Sequence, residues 1–133
     1  MKTHYQTDTP RVNLYLNENR DWQNTLTARQ REVLQMEKML VKAVLVDDVA
    51  VEDESGTDLH FYQQLMEQQQ SFEQLNNELQ TQQERLAYDF KNQSAYDTEA
   101  LCTQDILRER IRDIEKRYAE LKCSFMQYLS AIV

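Results

Sequence analysis

Two histidines, two cysteines and a run of acids are the residues of this 133-residue chain whose types invite chemistry. Helical di-metal sites use Glu-x-x-His pairs on facing helices. His4 follows Met1 by three residues and His60 follows Thr57, so neither histidine belongs to such a pair. The acidic stretch from Asp47 to Asp58 invites a calcium loop. Placing Gly56 at the sixth position of an EF-hand puts Val51 at the first, Asp53 at the third, Ser55 at the fifth and Tyr62 at the twelfth. The leading Asp and closing Glu of that loop are then both missing. A solvated acidic turn that limits aggregation is the expectation, and no metal is assigned.

Cys102 and Cys123 stand 21 residues apart, or roughly 31 Å along a straight helix, whereas a disulfide needs α-carbons within about 7 Å. Both fall on the outer face of their helix, which fits a reducing compartment. A cysteine nucleophile wants a histidine base, and the segment carrying both cysteines has none. One glycine rules out a phosphate-cradling loop. Carboxylates abound, but none is set apart as a general acid or base. No catalytic residue, metal ligand or cofactor is therefore assigned.

The elements that would position these residues are helices. One Gly and one Pro are too few for the tight turns of a sheet protein, and 16 Gln join many Glu, Leu, Arg, Met and Ala, all strong helix formers. Helix 1 is expected over 10–50, with Thr9-Pro10 at its start and residues 1–9 an extended tail. A later start within Asn17–Asp21 is the alternative. Its heptad a positions are Val12, Asn19, Leu26, Val33 and Leu40. Its d positions are Tyr15, Trp22, Arg29, Met36 and Ala43, so Asn19 and Arg29 interrupt an apolar seam and are read as setting register. The β-branched run Val44, Val46, Val49, Val51 allows a short strand as a rival ending.

Helix 2 is expected over 59–91, capped by Thr57 or Asp58. Leu65, Phe72, Leu79 and Leu86 repeat every seven residues, beside a d row of Phe61, Gln68, Leu75 and Gln82. Thirteen of the 35 residues in 59–93 are Gln or Asn, a solvated face. Helix 3 is expected over 98–132, with Ser94 or Asp97 as its cap. Leu107, Ile111, Ile114, Tyr118, Leu121, Phe125, Tyr128 and Ile132 follow a 4-3 spacing, which keeps one seam on a partner helix. The fold class that follows is all-α, a single domain over 1–133. It is an up-down-up antiparallel bundle of three long helices with coiled-coil-like seams. The arrangement, with Trp22 on the first helix, resembles the architecture of a spectrin-type repeat; the likeness is one of layout and names no family.

Net charge is −8, and six of those negative charges fall in 47–58. A duplex-binding domain needs a basic face to release counterions, and an anionic membrane surface attracts the same. Neither nucleic acid nor membrane is an expected partner. The longest apolar run is far short of the roughly 18 residues of a membrane span, and the first residues lack a secretory signal's apolar stretch, so a cytoplasmic location is expected. Leu34, Val41 and Leu45 form a second apolar stripe beside the seam, with Met39 and Val46 nearby, and a stripe of that kind needs cover. The functional expectation is a non-enzymatic interaction or scaffold module that binds its own copy, in the simplest case as a dimer, or a partner helix. The alternatives are a regulator with a small ligand between the helices near Tyr15, Tyr118, Tyr128 and the seam glutamines, and a helical chaperone or secretion-type adaptor.

Overall fold

The computed structural model describes the backbone of residues 2–46, 56–91 and 98–132, and the side chains of 11–43, 56–89, 91 and 99–131. Three helices account for it: α1 (Lys2–Val46), α2 (Thr57–Lys91) and α3 (Thr98–Ile132). No strand occurs among the described residues. The rival strand at 44–51, the expected helix end near residue 50 and the caps at Ser94 or Asp97 fall wholly or partly outside them; residues 44–46 are helical, as the longer helix requires.

Two helix starts differ from expectation. α1 begins at Lys2, so residues 2–9 are a helical extension and not an extended tail, and the Asn17–Asp21 stretch lies inside the helix. Proline lacks an N–H and is favoured in a first turn for that reason; inside a helix it loses its bond to the carbonyl four residues back, here that of Gln6, and its ring crowds that carbonyl, at a cost of roughly 3 kcal/mol that a long helix can carry. A Thr-Pro pair thus marks where a helix can start without requiring it to start there. α2 is opened by Gly56 and not by Thr57 or Asp58: the Gly56 carbonyl accepts the first helical bond from the His60 N–H at 2.9 Å. The Gly56 φ of 69° lies in the left-handed region that side chains disfavour. Asp58 then sits in the first turn and Lys91 in the last, each at the helix end whose partial charge it complements.

Cross-helix contacts fix the directions. Gln83 and Gln69 of α2 donate to the carbonyls of Leu16 and Gln30 on α1, so one number falls as the other rises and the helices run antiparallel. α2 and α3 are antiparallel by the same test, Phe72 meeting Tyr118 (ring centroids 5.8 Å apart) and Phe61 meeting Phe125 (5.7 Å). Glu18 with Arg108 and Arg29 with Glu115 set α1 parallel to α3. The bundle is up-down-up.

The expected seams close on one another. Leu26, Val33, Met36 and Leu40 of α1 are buried against Phe61, Leu65, Phe72, Leu75 and Leu79 of α2. Leu107, Ile111, Ile114, Tyr118, Leu121 and Phe125 of α3 complete this core, with Trp22, Tyr128 and Leu129 partly buried at its margin. A smaller cluster of Val12, Leu86 and Ala100, flanked by Tyr15 and Leu16, lies towards the other end. The backbone of Ile132 is helical, but its side chain lies outside those described.

Candidate functional site

The two apolar clusters are separated by a polar layer to which every helix contributes. Asn19 and Gln104 are fully buried and Gln82 is 3% exposed. The Gln104 Nε2 donates to Asn19 Oδ1 and to Glu18 Oε1, both at 2.8 Å. The Gln82 Nε2 donates to Gln104 Oε1 at 3.3 Å and to the Ala100 carbonyl at 3.0 Å. Arg108 closes the outer edge with two bonds to Glu18, at 2.8 and 3.1 Å, and its guanidinium lies 6.0 Å from the Tyr15 ring centroid. These bonds to Glu18 lift the Arg108 guanidinium further above its ordinary value, against the pull of burial. Asn19 Nδ2 is buried without a hydrogen-bond partner among the described residues. Buried amides bonded to groups on neighbouring helices penalise any slip of register, which is the use expected of Asn19.

Gln104 escaped the sequence reading, although its signal was there. It precedes Leu107 by three and follows Ala100 by four, so it continues the α3 spacing one step back. Counting only apolar residues hides a glutamine in such a row.

Arg29, the other interruption of the α1 seam, is half-buried in a second polar cluster facing α3. Its guanidinium makes a two-pronged pair with Glu115, Nε to Oε1 and Nη2 to Oε2 both at 3.0 Å, and reaches Glu32 at 3.1 Å. The Glu115 hydrogen bonds raise the Arg29 guanidinium above its ordinary value while burial opposes them. The Tyr118 hydroxyl donates to Glu32, and the Arg29 guanidinium carbon lies 5.0 Å from the Tyr118 ring centroid. Each charged group here is committed to another, as in a structural ladder.

Among the described residues the remaining reactive side chains do not converge; the side chain of His4 and the acidic stretch 47–55 lie outside them. No cluster of three His, Cys, Asp or Glu able to hold a metal ion occurs among the described residues. His60 is exposed, its ring tilted against Phe61 at 6.1 Å. Cys102 and Cys123 are both free and exposed. The tyrosines and seam glutamines proposed as a ligand lining are dispersed. Tyr118 faces α1, Tyr128 packs tilted against Phe61 with ring centroids 4.9 Å apart, and Gln82 is locked in the polar layer. Gln68 alone lies in an open groove between α2 and α3, with Leu75, Ile114 and Leu121 along it.

The expected interaction surface is divided and then enlarged. Leu34 and Val41 are 46% and 47% exposed, and Met39 is 43% exposed; the side chains of Leu45 and Val46 lie outside those described. At about 100° per residue, Met39 points roughly 150° away from Leu34 and Val41 around the helix. It falls on the α1·α3 flank, where the pairing of Glu32 with Tyr118 places it near the level of Met126, itself exposed. Leu34 and Val41 instead border α2. The bonds from Gln83 to Leu16 and from Gln69 to Gln30 define a register that sets Leu34 level with Met66 and Val41 level with Leu59, with Tyr62 between the two in height. These three α2 residues are 40%, 58% and 42% exposed, and their spacing puts them on one face. Five large apolar side chains from two helices thus share one flank of the bundle. Beneath them on α1 lies Glu37, whose carboxyl burial pushes above the ordinary carboxylate range.

No helix among the described residues is long and apolar enough to cross a membrane. No family model matches the chain, and no curated protein and no solved structure shows significant similarity to it.

Proposed function

We propose that this protein is a non-enzymatic interaction module, a three-helix bundle that associates with a second copy or with a partner helix through the α1·α2 flank. The observation that carries this reading is the exposed set Leu34, Val41, Leu59, Tyr62 and Met66. Single exposed apolar residues are ordinary, whereas a contiguous group drawn from two elements is the usual mark of a contact surface. The ladders of polar residues inside the bundle support a rigid scaffold, because each committed side chain holds one helix at a set height against another.

Replacing Leu34 and Val41 together by Glu is the test. Sedimentation is expected to show loss of association, by about tenfold or more in dissociation constant as two apolar contacts become two desolvated charges. Helical circular dichroism is expected to stay unchanged, since both positions lie outside the core. Association unaffected by the pair of substitutions would refute the reading. A reducing, cytoplasmic setting accords with two free, exposed cysteines.

A further inference from the structure

The α1·α2 flank carries charge as well as apolar surface, and the two are arranged in a self-complementary way. On α1, Arg20, Arg31 and Lys38 lie just outside the line of Leu34 and Val41; all three are exposed. On α2, Glu73 continues the stripe of Leu59 and Met66 one heptad on, and Glu84 lies beyond it. Arg20, Arg31, Lys38 and Glu73 make no ion pair among the described residues. Among those residues Glu84 accepts only a neutral bond, from Gln80 at 3.2 Å. Over whole helices the contrast persists: α1 has 7 basic and 5 acidic residues, a net +2, while α2 has 2 and 6, a net −4.

We infer that the flank's occupant is a second copy of this chain, docked about a two-fold axis parallel to the bundle so that α1 of each subunit lies over α2 of the other. This rests on the reading of the flank as a contact surface and adds the partner and the pairing. A two-fold interface must be complementary to itself. About this axis the apolar residues of the two copies meet at one height. The α1·α2 register sets Arg31 five residues, about 7.5 Å, from the height of Glu73 of the partner subunit, and Arg20 five residues from the height of Glu84 of the partner subunit. Helical side chains lean towards their own N-terminus, so across these antiparallel helices each Arg and Glu lean towards one another. Laying α1 over the partner's α1 would instead set Arg31 and Lys38 against their own kind, and like charges across an interface suppress a pairing.

Charge reversal tests the pairing. Arg31→Glu and Glu73→Arg each place two like-charge contacts in the homodimer, and each is expected to weaken it roughly tenfold or more. Mixed one to one, the two variants can meet so that the introduced carboxylate at position 31 faces the introduced guanidinium at position 73. The second contact of that pair keeps its native Arg31 and Glu73. Both contacts are then between opposite charges, and a heterodimer of near wild-type affinity is expected in sedimentation. Circular dichroism of each variant checks that the bundle is intact. Two variants that dimerise as wild type does, or a mixture that stays monomeric, overturn the α1-over-α2 pairing. If Leu34→Glu with Val41→Glu still dissolves the wild-type dimer in that case, the contact surface itself stands. A wild-type chain that is monomeric at high micromolar concentration overturns the second copy as occupant and leaves the flank to a foreign helix. A wild-type dimer indifferent to the Leu34 and Val41 substitutions overturns the pairing and the surface together.

Discussion

Glu37 shows how one residue can report on its surroundings. Its carboxylate is partly buried, with Oε1 enclosed and unpartnered among the described residues, and burial raises its proton affinity in the folded chain. The folded state therefore holds this proton more tightly than the unfolded state does. Its contribution to stability is greatest at acid pH and declines as pH rises from the ordinary carboxylate value through the raised one. Wherever it is ionised in the folded chain, the partly desolvated group is a cost. Glu37→Gln is expected to raise the melting temperature at pH 7 and to leave it nearly unchanged below the carboxylate range; thermal melts of both chains across pH check this. A variant less stable at pH 7 would show that Glu37 has a cationic partner. Position e of a heptad signals in the sequence that Glu37 lies beside the seam, but the degree of its burial depends on how closely α2 approaches, which no local pattern encodes.

Among the elements, the polar layer is the feature whose removal separates stability from specificity. Asn19→Leu or Gln104→Leu alone strands the amides that remain, and each is expected to cost about 1–3 kcal/mol in denaturant unfolding. Replacing Asn19, Gln82 and Gln104 together by Leu removes both partners of every amide–amide bond in the layer. That chain is expected to be as stable as wild type or more so, with sliding or alternative association appearing as excess mass or broadened resonances. If the single variants cost nothing, the layer is not coupled as its geometry implies. The sequence is most legible at this scale. The α3 bounds agree with its 4-3 spacing, because a long uninterrupted period leaves one phase that buries it. The α1 start is misplaced because a proline tolerated within a helix looks the same as one that opens it. Gln104 is missed because a buried amide obeys the helical period while failing the test of polarity.

For the whole molecule, the bundle follows from composition and period, but its flanks do not. Leu34 and Val41 stand out in the sequence of α1 on their own. Their neighbours Leu59, Tyr62 and Met66 come from a helix whose rotation and height are set only when the two seams interlock. Met39 is close to them along the chain and far from them around the helix, so proximity in sequence misleads. The assembled flank thus emerges from packing, and its role in association is the claim on which the functional reading turns. That claim is tested most directly by following the methyl resonances of Leu34, Val41, Leu59 and Met66 by NMR as concentration rises. Leu14 and Ile106, which are 61% and 58% exposed on other faces, serve as internal controls. The four flank residues are expected to shift together with the onset of association while Leu14 and Ile106 stay in place. Shifts centred on Leu14 or Ile106, with the flank silent as the mass increases, would contradict it.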